Sequence, residues 1–241
     1  MELELLRSKA QDLLDERKND EAYRYLLEAA LVYNDPDILH TLAFLNYYPC
    51  LKKDVDYKKA FQFFLLACKA GEPDYGVLGS IMEDYQNSVK RNVDAQEGYR
   101  TLLKYLMGQN SSAAYIYAGD EYMDTNFVFE PDWRKGLECY EKAVELGDAF
   151  GYDCIARAYY TGMAGGVNYQ KAFEYYTKSE EFHSSEKYYY LGEMYFHGYF
   201  VQKDREKAKE YYEQLVNDEV YSDIDDEYVP LAKKRLLEME E

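Results

Sequence analysis

The stretch YYYLGEMYFHGYFVQKDREKAKEYYEQL, residues 188–215, decides the fold because it carries the pattern of two helices joined by a short loop. Its first half is rich in aromatic residues around the pair Leu191 and Gly192, and Gly198 follows where that helix should end. Asp204 opens the second half, where a short side-chain oxygen can accept hydrogen bonds from the first N–H groups of a helix. The pattern therefore predicts a helix–turn–helix unit.

The second half of this unit recurs along the chain. Tyr211 and Tyr212 lie three and four residues after the small residue Ala208, which puts all three on one helical face. Small residues recur in this register every 36 or 38 residues, at Ala22, Ala60, Gly98, Gly136, Ala172 and Ala208. Four residues before the last five stand candidate N-cap residues, namely Asp56, Asp94, Asp132, Asn168 and Asp204. Such recurrence predicts a helical-repeat protein in which these are the second, or B, helices.

A first helix, A, precedes most of these B helices and carries its own small residue. The pairs that mark it are Leu42-Ala43, Leu78-Gly79, Ala118-Gly119, Ile155-Ala156 and Leu191-Gly192. Glycine inside a helix costs about 1 kcal/mol relative to alanine. Its recurrence in one register therefore predicts that a neighbouring helix passes too close for a β-carbon.

The pattern gives an all-α chain with a single repeat domain over residues 1–241. We expect helix pairs at about residues 2–34, 36–71, 74–108, 112–147, 149–182 and 184–217. A last, amphipathic helix is predicted at about residues 225–240, with Pro230 in its first turn. Its one-sided apolar face suits a helix that caps the open end of a repeat stack.

Two of these segments resemble Sel1-like repeats, which are relatives of the tetratricopeptide repeat. Residues 188–215 match the pattern L-G-x-x-Y-x-x-G, a short loop with K-D, and x-x-x-A-x-x-Y-Y. Residues 154–179, CIARAYYTGMAGGVNYQKAFEYYTKS, match nearly as well, with Ala156 in place of the first glycine. The resemblance implies a right-handed α-α superhelix, or solenoid, that acts as a non-enzymatic adaptor and holds a protein or peptide in its concave groove.

Composition narrows the possible partners. The 241-residue chain has a formal net charge of −18, which argues against nucleic-acid binding because phosphate contacts need clustered Lys and Arg. The acidic N-terminus lacks the pattern of a secretory signal, and no apolar run is long enough to span a membrane. We therefore expect a cytoplasmic protein without membrane insertion. The sequence leaves its oligomeric state open.

No motif for catalysis, a cofactor or a metal stands out. His40, His183 and His197 lie far apart without metal-type spacing, and the chain has no Gly-rich phosphate loop. The acidic run SDIDDE, residues 222–227, lacks the glycine and the distant glutamate of a calcium loop, so an acidic first turn of the last helix is favoured.

The four cysteines include one pair of interest. Cys139 on a B helix and Cys154 on the next A helix lie about equally far from the turn between them and could face each other. Because cysteines do not recur with the repeat period, buried thiols are favoured over a disulfide.

The helical period also locates the candidate groove. Residues three before, one after and four after the small residue of an A helix share one face, which lines the concave surface in tetratricopeptide-like solenoids. The predicted partner-binding residues are His40, Phe44, Tyr47, Ile116, Asp120, Met123, Asp153, Arg157, Tyr160, Tyr189, Glu193 and Phe196. Gly76, Ser80 and Glu83 give a weaker match. Rings beside carboxylates suit a partner segment with basic and apolar residues, although these rings could instead cover the core.

Two other functions remain open at this stage. The net charge suits an acidic inhibitor or decoy that binds a basic partner surface. A hydrolase is a remote alternative, kept because the family resemblance includes a few members with such activity.

Overall fold

The computed structural model describes residues 3–48, 55–71, 92–123, 128–178, 184–218 and 227–240. Within these ranges the regular elements are all helices, as the sequence predicts. The twelve described helices are α1 (Leu3–Asp15), α2 (Asn19–Tyr33), α3 (Pro36–Tyr47), α4 (Tyr57–Ala70), α5 (Val93–Gly108), α6 (Ser112–Met123), α7 (Trp133–Glu145), α8 (Phe150–Thr161), α9 (Tyr169–Lys178), α10 (Ser185–His197), α11 (Arg205–Asn217) and α12 (Tyr228–Glu240).

The helices pack in consecutive pairs, including α1 with α2, α3 with α4, α8 with α9, and α10 with α11. The chain divides into two compact units, residues 1–114 with 126–130 and residues 115–125 with 131–241. In the second unit, α12 packs against both α10 and α11. The A helix predicted before α5 lies outside the described residues, and so do Gly76, Ser80 and Glu83, His183, Cys50 and most of the acidic run.

Helix–helix contact explains the glycines in the A helices. A β-carbon at Gly119 would lie 2.3 Å from a ring carbon of Tyr140, and one at Gly192 would lie 2.5 Å from a ring carbon of Tyr212. Both tyrosine rings come from the following B helix and are almost fully buried, so neither can move away. The predicted close approach is therefore confirmed at both positions.

Side-chain caps begin four B helices as predicted. The carboxylates of Asp56, Asp132 and Asp204 each accept a backbone N–H from the first turn of α4, α7 and α11. Asn168 does the same for Lys171 at the start of α9. The prediction for Asp94 is wrong: Asn92 caps α5 by accepting the N–H of Ala95, and Asp94 lies inside the first turn. There its charge still faces the positive end of the helix dipole.

The thiols of Cys139 and Cys154 are free and buried, and Cys68 is buried as well. Burial raises the pKa of Cys139 to about 11, and burial also raises the pKa of Cys154. Both groups are therefore protonated, weakly nucleophilic thiols at neutral pH.

Candidate partner-binding surface

The predicted partner-binding residues of the first unit lie on α3. Phe44 is half-buried, with its ring centroid 5.8 Å from that of Tyr48 and 5.2 Å from that of Phe64. His40 is half-buried as well, whereas Tyr47 is only 2% exposed and packs edge-on against three rings of α4. Of the three predicted residues on α3, Phe44 and His40 are therefore the two that a partner could reach.

In the second unit, the charged residues of the predicted surface form a ladder between consecutive A helices. The guanidinium of Arg157 on α8 bridges two carboxylates: Nη2 lies 3.1 Å from Asp120 Oδ1 on α6, and Nη1 lies 3.0 Å from Glu186 Oε2 on α10. One arginine thus ties three A helices together.

Tyrosines from the B helices complete this ladder. Tyr140 on α7 donates its hydroxyl to Asp120 at 2.7 Å, and Tyr176 on α9 donates to Glu186 at 3.2 Å. Each ring is nearly inaccessible to solvent, so a carboxylate that accepts its hydroxyl also satisfies a buried donor. These hydrogen bonds link the A and B layers at the same points where arginine links neighbouring A helices.

Burial dominates the electrostatics of this ladder. Desolvation raises the pKa of Glu186 to about 7, although the nearby Arg157 acts in the opposite direction. For Arg157, burial would lower the pKa, but the charge of Glu186 and the other acidic neighbours raises it, so the guanidinium stays charged. The ladder thus contains a permanent cation and a carboxyl group that titrates near neutral pH.

The same arrangement recurs between α10 and α12. Arg235 binds Glu193 through two hydrogen bonds, Nε to Oε1 at 2.7 Å and Nη2 to Oε2 at 2.9 Å, while Tyr212 on α11 donates to Oε1 at 2.6 Å. The guanidinium carbon also lies 5.3 Å from the ring centroid of Phe196. Burial alone would raise the pKa of Glu193, but hydrogen bonds from Arg235 and Tyr212 lower it, so this carboxylate is ionised.

Aromatic side chains of α8 and α10 lie near the ion pair of Arg235 and Glu193. The ring centroid of Tyr160 lies 4.6 Å from that of Tyr190, and Tyr189 lies 5.4 Å from Tyr190 in turn. Tyr160, Tyr189 and Phe196 are each half-buried. These three residues on α8 and α10 are called the ring surface below. Burial raises the pKa of Tyr160, so its hydroxyl is neutral at neutral pH.

Some predicted residues are committed to packing within the molecule. Tyr47, Ile116, Asp153 and Glu193 are between 0% and 6% exposed. Asp153 accepts a hydrogen bond from the hydroxyl of Ser184, the N-cap of α10. A partner could reach the other predicted residues, which keep exposed surface: His40, Phe44, Asp120, Met123, Arg157, Tyr160, Tyr189 and Phe196.

The helical period could not identify all members of the ladder. Glu186 and Arg235 fall outside the three offsets used to define the predicted face, and Tyr140 and Tyr212 lie on B helices, which that face does not include. One signal was present in the sequence: the residue after the small position alternates in charge, from Asp120 to Arg157 to Glu193. This alternation indicates the ion pair between Asp120 and Arg157, but it does not indicate that Arg157 pairs with Glu186 or that Glu193 pairs with Arg235.

Two features are absent from the described residues. Among them, no helix combines the length and the apolar character needed to cross a membrane. The same part of the chain contains no cluster of three or more His, Cys, Asp or Glu side chains arranged to hold a metal ion.

Comparison with known proteins gives independent evidence on the fold. The family model for the Sel1 repeat matches residues 50–72, 111–148, 155–181 and 188–217. A comparison with curated proteins finds no significant match.

Solved structures similar to this chain include Sel1 repeat proteins. A Sel1 repeat protein from Oxalobacter formigenes is 20% identical in sequence with a TM-score of 0.54, over 95% of this chain and 99% of that chain. A protective antigen of uropathogenic Escherichia coli strains, which displays an SLR fold, is 19% identical with a TM-score of 0.46, over 81% of this chain and 49% of that one. The first of these likenesses supports the predicted fold class, an all-α repeat superhelix. The chain therefore carries Sel1 repeats at these four places, within an all-α repeat fold.

Proposed function

We propose that this chain is a non-enzymatic scaffold that binds a protein or peptide segment through the exposed faces of its A helices. Sel1 repeat proteins generally act as protein–protein interaction scaffolds, which gives the coarse class. The ring surface is the observation that carries the finer proposal. Tyr160 on α8 and Tyr189 on α10 both contact Tyr190, and Phe196 lies two helical turns after Tyr189 on α10. All three side chains are partly exposed, so a partner can bury them further.

The ring surface has the properties of an interface anchor. Tyrosine and phenylalanine bury large areas at a low cost in conformational entropy, and such residues dominate the binding energy of many interfaces. The rings are fixed by their neighbours, since Tyr160 contacts Tyr190, Tyr169 and Tyr199. A surface held rigid before binding has less freedom to lose on association.

Charge supports a partner segment with basic as well as apolar residues. The side chain of Asp120 keeps 37% of its surface exposed although it pairs with Arg157. The chain as a whole carries a net charge of −18, which steers basic partners toward it. The proposed partner therefore inserts apolar side chains among the rings and places its lysines or arginines toward exposed carboxylates.

Substitution of single rings tests this proposal against a matched control in the same helix. Tyr160→Ala and Tyr189→Ala should each reduce the recovery of partners from a lysate of the source organism at least about tenfold. Tyr159→Ala is the control, because Tyr159 is also half-buried on α8 but packs against Tyr175, with centroids 6.1 Å apart, and Lys171. Recovery of the same partners at equal strength by all three variants would contradict the proposal, provided that circular dichroism shows each variant folded.

Salt dependence separates the scaffold from the acidic decoy. A decoy that binds by net charge should lose most of its affinity between about 0.05 and 0.5 M salt, because exposed charges are screened over this range. The affinity of such a decoy should also be unchanged by Tyr160→Ala. A scaffold that uses the ring surface should lose affinity with Tyr160→Ala and should keep more of its affinity in high salt, because only part of its binding comes from charge.

A further inference from the structure

The outward face of α12 combines an exposed leucine with two lysines. Leu237 is 65% exposed, and Lys233 and Lys234, four and three residues before it, are exposed on the same face. The opposite side of α12 packs into the core of the second unit through Val229 and Ala232. Lys234 also lies 3.9 Å from Glu238 Oε1 on the same helix, so the two lysines and this glutamate leave the face with a net positive charge beside the exposed leucine. This face, Lys233, Lys234 and Leu237, is called the α12 knob below.

The first unit contains a cleft of matching character between α1 and α3. Its volume is about 330 Å³, and apolar side chains that include Leu14, Leu26 and Ile38 contribute to its lining. One water molecule occupies about 30 Å³ in the liquid, so the cleft has the volume of several water molecules. A leucine side chain, with four carbon atoms, therefore fits into it.

The rim of this cleft is acidic. Glu4 and Asp37 both line it, and the side chain of Asp37 is 79% exposed. Arg7 also lines the cleft, but its guanidinium is paired with Asp35 and with Asp37. Asp35 does not line the cleft, so the rim has one arginine against the two carboxylates of Glu4 and Asp37. This leaves a net negative charge at the rim, which suits an approaching lysine.

We propose that the α12 knob of one copy inserts into the α1–α3 cleft of a second copy of this chain. Leu237 then occupies the apolar part of the cleft, and Lys233 and Lys234 lie beside Glu4 and Asp37. An apolar knob and a complementary pocket at different places on one molecule give a heterologous contact, in which each copy can act as donor and receiver. This self-association is independent of the ring surface.

The size of the contact determines how the association behaves. One leucine and two lysines cover less area than the roughly 800 Å² per partner of a stable interface, so the association is weak and depends on concentration. Because the charged groups are exposed, added salt weakens it further. Both properties can be measured on the purified chain alone.

Sedimentation velocity of the purified chain, from about 0.01 to 1 mM, provides the direct test. The wild-type chain should associate reversibly, and Leu237→Asp should raise the dissociation constant at least about tenfold. Leu31→Asp is the matched control, since Leu31 on α2 is 87% exposed but contributes to neither the knob nor the cleft. A chain that stays monomeric over the whole range, or equal effects of the two substitutions, would overturn the proposal.

Charge reversal then tests which surfaces meet. Lys233→Glu with Lys234→Glu makes knob and cleft both acidic, and Glu4→Lys with Asp37→Lys makes both basic, so each variant alone should fail to associate. A mixture of the two should associate again, because each knob finds a cleft of opposite charge.

The variant Glu4→Lys with Asp37→Lys removes the ion pair between Arg7 and Asp37. A second cleft variant keeps the test valid if this loss destabilises the fold. Ser8 is exposed and lines the cleft, so Ser8→Trp should fill the cleft and abolish association without removing any charge. Wild-type association of Ser8→Trp, or a folded mixture that stays monomeric, would show that this cleft is not the receiving site.

Discussion

Replacement of Gly192 by alanine tests whether the close approach of helices in each repeat is as rigid as the structure indicates. The new β-carbon would lie 2.5, 2.8 and 2.9 Å from three ring carbons of Tyr212. Relief by movement of the ring is blocked, because Tyr212 is fully buried and its hydroxyl is hydrogen-bonded to Glu193 at 2.6 Å. The clash must therefore be absorbed by separation of α10 and α11.

The expected cost follows from two opposing effects. Overpacking a well-packed core costs about 1–3 kcal/mol, and a displaced hydroxyl weakens a hydrogen bond to a charged group worth about 1.5–3 kcal/mol. Alanine gains about 1 kcal/mol over glycine in a helix interior. We expect Gly192→Ala to lower the free energy of unfolding by about 2 kcal/mol, or the midpoint of thermal unfolding by about 4–8 °C.

Urea unfolding followed by circular dichroism measures this change. Gly108→Ala is the matched control, because a β-carbon at Gly108 meets no atom within 4 Å; it should raise stability by about 0.4–1 kcal/mol. In a Tyr212→Leu background, where the ring is gone, Gly192→Ala should cost almost nothing. An equal cost of Gly192→Ala in both backgrounds, or a stabilised single variant, would refute the reasoning.

Four further substitutions test the ladder and the caps. Arg235→Ala should cost about 3 kcal/mol in urea unfolding, because it leaves the carboxylate of Glu193 buried without its cation; a cost below about 1 kcal/mol would contradict this role. Burial raises the pKa of Glu186 from an ordinary value of 4.5 to about 7 in the folded state, so the unfolded chain releases this proton first as pH rises. Wild-type stability should therefore fall relative to Glu186→Gln between about pH 4.5 and 7, by up to about 3 kcal/mol, and parallel pH profiles of the two chains would argue against the raised pKa. Asp204→Ala should cost about 1 kcal/mol through loss of the α11 cap, and Asp94→Ala, which removes no cap, should cost clearly less in the same measurement.

The repeat architecture could be predicted because its signals are local. A small residue in a fixed register, such as Gly192 or Ala208, reflects a contact between two helices that are adjacent in sequence. Prediction of individual caps was less secure. At the start of α5, Asn92 and Asp94 are both suitable cap residues. The four-residue interval between cap and small residue in the other repeats predicts Asp94, but Asp94 lies inside the helix and Asn92 is the cap.

The candidate surface shows where sequence periodicity reaches its limit. The period of 3.6 residues correctly groups side chains on one helix, but it cannot tell which helix covers them. Glu193 is buried because α12 places Arg235 over it, and α12 begins 35 residues further along the chain, at Tyr228. The residue that pairs with Glu193 depends on how the two helices are packed, which the spacing of apolar residues does not specify.

The alternation of charge along the ladder has a consequence for how such a chain can change length. The residue after the small position reads acidic, basic, acidic at Asp120, Arg157 and Glu193. Tandem duplication of the single repeat that carries Arg157 would bring two arginines together at a half-buried site, where like charges cost several kcal/mol. Duplication of two adjacent repeats would preserve the alternation. This part of the chain should therefore tolerate the insertion of a pair of repeats, about 72 residues at the 36-residue spacing of the last B helices, better than the insertion of one.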